Sequence, residues 1–97
     1  MLHLLSQLPL QTAVIERIGS GDDVVLMDGA VCAALAGHSG NALLRQLLSQ
    51  SCRIYALQEM LLVHGVEPLL LLSGVESVDY AGLVELTVQN PVIHSWC

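Results

Sequence analysis

The chain has 97 residues, 54% of them hydrophobic and 12% charged, with a net charge of −6. Typical domains carry about 45–50% apolar and about 25% charged residues, and one this small hides only a little over ~60% of the surface of its unfolded chain. Apolar surface is therefore left for other subunits, self-association is expected of the isolated chain, and with only Arg17, Arg45 and Arg53 basic the chain has no stripe with which to grip nucleic acid.

Leu2 to Leu5 reads as a short apolar strand ended by Ser6-Gln7. Pro9 suits the first turn of a helix, where its missing N–H costs nothing, and Leu10, Val14 and Ile18 recur at helical spacing before Gly19-Ser20-Gly21 stops the pattern. Val24 to Met27 is an apolar run of the kind a parallel strand buried on both faces requires. Asp28-Gly29 breaks it, and a short helix is predicted to open at Ala30. Gly37-His38-Ser39-Gly40 interrupts that helix, and Asn41 is placed to cap a second one through Leu48. Arg53 to Leu57 is the third strand. Gln58 to His64 follows as a helix, with Gly65 as its left-handed terminator. Pro68 through Leu72 fits a buried strand, a helical turn or an interface loop equally. Val75 to Val78 is a further strand, and Asp79 can cap a last helix that halts before Pro91. The alternation of strands and helices predicts one α/β domain over residues 1–97, a small doubly wound layer with a mostly parallel sheet and helices on both faces.

The longest unbroken apolar stretch, Ala30 to Ala36, and four-residue runs such as Leu69 to Leu72 fall far short of the ~18 residues needed to cross a bilayer. The first basic residue is Arg17, so the start lacks the positive region of a secretory signal. Cys32, Cys52 and Cys97 form no CxxC pair and are odd in number, which fits a reducing compartment. Together these features predict a cytoplasmic protein with no membrane role.

In doubly wound sheets ligands gather beyond the carboxyl ends of strands, which directs attention to Asp28-Gly29. Cys32 follows in the first turns of the predicted helix, where the positive end of the macrodipole favours a thiolate and would suit a sulfur acceptor. Its neighbours Val31, Ala33 and Ala34 suit an inert core residue, and that reading is preferred. Cys52 is read as a packing residue despite the adjacent Arg53 charge, and Cys97 as a bystander thiol. His3, His38, His64 and His94 lack metal-ligand spacing, so no metal is implied; His3 and His94 are expected to bond backbone rather than meet in a site. Gly19-Ser20-Gly21 lacks the lysine of a phosphate loop, and no cofactor is implied. Asp28 is first a turn-maker, Asp79-Tyr80 combines a cap with an aromatic anchor, and Trp96 is either an interface anchor or a ring folded onto its own domain.

The order of Met1-Leu2-His3, Asp28-Gly29 running through small residues to Ala33-Ala34, Ile54-Tyr55-Ala56-Leu57, and the tail from Val78-Asp79-Tyr80-Ala81-Gly82 to Asn90-Pro91 and Ser95-Trp96 resembles the TusB/DsrH family of sulfur-relay subunits over nearly the whole chain. The resemblance implies a DsrE/DsrF/DsrH-like fold and a heterohexamer built with two related subunits. In its tRNA branch such a complex passes persulfide sulfur from an upstream to a downstream carrier, toward 2-thiolation of the wobble uridine. In its other branch the complex serves dissimilatory sulfur oxidation. The principal sulfur-bearing cysteine belongs to a sister subunit, so the resemblance implies a part of a sulfurtransferase complex without a catalytic residue of its own. His3, Asp28, Gly29, Tyr80 and Trp96 are the expected interface residues, and Cys32 is the alternative sulfur carrier. Some sulfur-oxidising members carry a cysteine in the first helix; residues 9–20 here contain none, which leans toward the tRNA branch. Leu4 stands where the family often has threonine, and the stretch from Gly37 to Asn41 is longer than its usual pattern.

Overall fold

A computed structural model describes residues 1–96; the bystander role read for Cys97 lies outside the described residues. Strands β1 (Leu2–Leu5), β2 (Asp23–Leu26), β3 (Arg53–Leu57), β4 (Val75–Val78) and β5 (Ile93–Trp96) form one sheet in the order β4-β3-β2-β1-β5. All four pairings are parallel, with Leu2 opposite both Asp23 and Ile93. Helices α1 (Thr12–Glu16), α2 (Asn41–Ser49), α3 (Gln58–Val63) and α4 (Tyr80–Gln89) connect the strands. The α/β doubly wound architecture read from the alternation of elements is therefore the observed one.

Successive strand residues face opposite sides, and the central strand shows how each side is filled. Val24 and Leu26 enter the larger core with Ile15 of α1, Leu44 and Leu47 of α2 and Leu61 of α3. Val25 enters a smaller core with Leu2 and with Leu86 of α4. Three helices thus cover one face and a single helix covers the other, because the first three crossovers wind one way along the sheet and the fourth returns across it to place β5 beside β1. The last helix begins where Asp79 Oδ1 accepts the Gly82 N–H at 2.8 Å, and it ends at Asn90, next to a proline that cannot continue it. Gly65 has φ +68 and closes α3 as predicted.

Several elements differ from the sequence-based expectations. The first helix starts at Thr12 rather than Pro9, since Gln11 is still extended with ψ 130 and residues 6–11 form a loop. Residues Asp28–Ala34 form a 3-10 helix instead of an α-helix opening at Ala30. Its last carbonyls are taken by distant donors: Ala33 O accepts from Asn41 Nδ2 at 2.7 Å, and Ala34 O accepts from the Leu72 N–H at 2.7 Å. Gly40, not Asn41, is the cap residue of α2, and the buried Asn41 amide holds the preceding loop by also donating to Leu35 O. Pro68–Leu70 is a 3-10 turn, followed by an isolated antiparallel bridge from Leu71 to Leu35. The segment after Pro91, read as a tail, is the edge strand β5, which β1 recruits along its free side.

Candidate functional site

Asp22 and Asp23 are consecutive, and strand alternation sends them to opposite faces of the sheet. Asp23 is buried on the α4 side, where Oδ1 accepts from Arg53 Nε at 2.6 Å and Oδ2 from Asn90 Nδ2 at 3.0 Å, joining β2, β3 and the end of α4. Asp22 lies at the other face, 2.9 Å through Oδ2 from Nε2 of His3, a side chain only 1% exposed. The second ring nitrogen of His3 accepts from the indole N–H of Trp96 at 3.0 Å.

This arrangement fixes the histidine. An indole nitrogen only donates, so Nδ1 of His3 carries a lone pair and Nε2 carries the hydrogen that it donates to Asp22. Burial on its own pushes the Asp22 carboxyl up, but hydrogen bonds from His3, from the Gly19 N–H and from the amino terminus outweigh it and hold the carboxyl below its ordinary value. Around Trp96, the His94 ring stacks at 3.9 Å between centroids, and the Arg17 guanidinium lies 5.9 Å from the indole centroid. Carboxylate, imidazole and third group stand in line as they do in a hydrolytic triad. The third group here is an N–H with no nucleophilic lone pair, and the imidazole is buried, so the constellation positions a ring rather than activating a nucleophile.

The expectation that His3 bonds backbone is corrected by these contacts: both ring nitrogens bond side chains, because the β1–β5 register sets His3 opposite His94 and brings Trp96 onto the same face. Of the residues expected at an interface, His3 and Trp96 are thereby brought together, and the Trp96 ring packs against its own larger core while remaining partly exposed. Beside it, Leu5, Pro9, Leu10, Val14 and Trp96 wall a pocket of about 70 Å³ at the carboxyl ends of β1 and β5. That is room for a water or two or one small side chain rather than for the drug-sized ligands of typical binding clefts.

Asp28 and Gly29 lie apart from this pair, just after β2. Asp28 itself takes the left-handed turn at φ +49, and its exposed carboxylate stands 3.4 Å from His64 Nε2. Gly29 has open space where a Cβ would go and needs no special φ. Cys32, partly buried, is the fifth of the seven residues of the 3-10 helix. It is therefore not in the first turns of an α-helix, and the macrodipole argument for a thiolate loses its footing. Cys52 is buried, with Sγ 3.3 Å from Gly19 O, and burial pushes its thiol up; Arg53, which could have countered that, points to Asp23 on the other face. No group of histidine, cysteine or acidic side chains among the described residues is placed to hold a metal ion, and no helix among them is long and apolar enough to cross a membrane.

Tyr80 is exposed, and it begins a feature that reading single residues had missed. Tyr80, Val84 and Val88 recur at fourth positions along the outer side of α4, and Val84 and Val88 are 61% and 74% exposed. Leu83 and Leu86 fill the inner side. A helix that is apolar all round belongs in an interior, and the signal for this was the run from Leu83 to Val88 itself, with Glu85 its only charge. A second group of exposed apolar side chains, Leu62, Val63, Leu69 and Leu70, lies on α3 and the following turn.

A family model described as DsrH like protein matches residues 8–92. Protein TusB of Escherichia coli strain K12 is 31% identical over 99 residues, covering 99% of this chain and 100% of that protein. Protein TusB of Erwinia tasmaniensis is 34% identical over 103 residues with the same coverage. Among solved structures, the ychN protein from E. coli superposes with a TM-score of 0.78 at 18% identity, covering 98% of this chain and 97% of that one. A protein of unknown function from Methanobacterium thermoautotrophicum gives 0.80 at 16%, covering 98% and 96%. These two likenesses establish the fold, while the match over most of the length and the identity to full-length relatives establish the family: the chain belongs to the TusB/DsrH family.

Proposed function

We propose that this chain is an assembly subunit of a cytoplasmic sulfur-relay complex, in which it shapes the surface where sister subunits exchange persulfide sulfur on the way to 2-thiolation of the tRNA wobble uridine. Membership of the TusB/DsrH family supports the relay role. The observation that carries the assembly role is the outer stripe of α4, Tyr80, Val84 and Val88, since a side of a helix this apolar calls for a covering partner. Two related subunits, two copies of each chain in a heterohexamer, are the partners this reading assigns, and the upstream and downstream sulfur carriers meet the chain only through them. His3 and Trp96 serve by fixing the end of β5, and Asp28, Gly29 and Tyr80 stand at the carboxyl edge of the sheet toward the partners. The environments of Cys32 and Cys52 support the reading that neither is a reactive thiol.

Co-expression with two related subunits, followed by size-exclusion chromatography and native mass spectrometry, tests this. Co-elution in one complex with equal copies of the three chains is the expected result. A chain that stays alone beside its assembled relatives would refute it. Persulfide carriage by Cys32 and service in dissimilatory sulfur oxidation are the competing functions; sulfur found on Cys32 would favour the first, and a complex that leaves tRNA thiolation untouched the second.

A further inference from the structure

We propose that His3 is a proton-operated catch on Trp96: uptake of one proton at Nδ1 releases the indole, and with it the end of β5 and the wall of the adjoining pocket. This goes beyond the assembly role and holds whether or not that role is right.

The catch follows from which nitrogen bears a hydrogen. In the structure Nδ1 is the acceptor of the Trp96 N–H at 3.0 Å, and Nε2 donates to Asp22 at 2.9 Å. A proton arriving from solvent has only Nδ1 to bind. Once it is there, two N–H groups point at each other and the indole hydrogen bond is lost. Indole carries no lone pair to turn toward the new donor, so tautomer exchange offers no compromise. The other side of the ring responds in the opposite sense, for imidazolium and the Asp22 carboxylate form a charge-assisted pair. Acid therefore strengthens the bond that holds His3 and abolishes the bond by which His3 holds Trp96.

Among the described residues, the charged and titratable groups around the pair are few. From the turn before β2 comes Asp22, itself 3.4 Å from the amino-terminal ammonium. From the cap just after α1 comes Arg17, over the indole face, and from β5 comes His94, stacked on it. Arg17 and a protonated His94 both repel a new charge on His3, whereas Asp22 attracts it and is in direct contact. The indole is partly exposed, which gives the proton a path to a ring that is otherwise sealed. Trp96 lies in an edge strand paired on one side only, opposite Leu5 of β1, and besides that pairing, the packing of its ring on the core and the indole bond, its end is held by the 3.5 Å contact from Ser6 Oγ to Trp96 O. Release is thus local to that end.

Trp96 is the only tryptophan in the chain, so its emission reads the catch directly. The full chain is titrated from about pH 8 to about pH 5, the span in which histidine changes charge, with emission, the indole N–H resonance and far-ultraviolet circular dichroism followed together. The expected result is a red shift of emission and faster solvent exchange of the indole proton, with unchanged circular dichroism. In His3→Asn, whose amide oxygen accepts without titrating, the transition should vanish; in His94→Gln it should persist. Should His3→Asn fail to fold, the ¹⁵N shift of His3 Nδ1 in the unaltered chain reports the same event, moving to the protonated value in step with the emission. A flat titration, a transition abolished by His94→Gln, or one that coincides with loss of circular dichroism would overturn the proposal.

Discussion

Leu86→Ala and Val84→Lys separate the two sides of α4. Leu86 is 8% exposed and is the one buried side chain that this helix sends toward Leu2 and Val25. Burial of that kind lost to alanine costs ~2–5 kcal/mol, the upper part of the range belonging to sites that cannot relax around the cavity. Here the neighbours Leu83, Tyr55 and Val78 are themselves only partly buried and can close in, which points to about 3 kcal/mol. In a domain of this size each kcal/mol shifts the melting temperature by about 4–8 °C, so Leu86→Ala should lower it by roughly 12–24 °C. Val84, two residues earlier and 61% exposed, touches no core. Lysine there is a better helix former than valine and should leave the melting temperature within the few degrees that ~0.5 kcal/mol allows. The same lysine buried against a partner would be a charge without a counterion, which interfaces exclude from their centres. Thermal unfolding of the single chain and size-exclusion chromatography of the co-expressed subunits measure the two effects. A Val84→Lys chain that assembles fully would refute the covered-helix reasoning, and a Leu86→Ala chain that melts normally would refute the assignment of the smaller core.

Asp22→Asn should change the acid limb of stability: a carboxyl held below its ordinary value contributes stability above about pH 4 that is lost as pH falls through its folded value. Melting temperatures between about pH 6 and about pH 2 should therefore fall more gently in the variant, and parallel curves would contradict the Asp22 contacts. Asp23→Ala should cost about 2–4 kcal/mol in chemical denaturation, because it leaves the buried Asn90 amide short of a partner, whereas Arg53→Ala should cost far less, its side chain being 65% exposed. Equal losses would show that the pair, and not Asn90, sets the cost. Cys32→Ser should leave tRNA thiolation by the assembled complex nearly unchanged; loss of thiolation with assembly intact would make Cys32 a carrier.

What could be read from residues alone followed local rules. The bounds of β1, β3 and β4, the Asp79 cap and the Gly65 terminator each depend on a few adjacent side chains, and each stands in the structure where the sequence placed it. Strand β2 runs Asp23–Leu26 rather than Val24 to Met27, and its start is hidden because Asp23 is a buried carboxylate whose partners, Arg53 and Asn90, are distant in sequence. The 3-10 segment was read as α-helix because nothing local announces that Asn41 and Leu72 will take its carbonyls. Strand β5 was invisible for a similar reason: Ile93-His94-Ser95-Trp96 has weak strand character and becomes a strand only because β1 offers it an edge. Without that strand the i, i+2 relation of His94 and Trp96 carried no meaning, and His3 could not be seen facing both. The sequence did make the apolar surplus plain, but its position on the outer side of α4 required knowing which side Leu86 takes.

The most direct measurement loads the co-expressed complex with persulfide sulfur from an upstream carrier, traps it by alkylation, and determines the intact mass of each chain. An assembly subunit leaves this chain's mass without added sulfur while a sister chain gains it. A gain of one sulfur on this chain, localised to any of its cysteines, would make it a carrier in its own right and contradict the proposed division of labour.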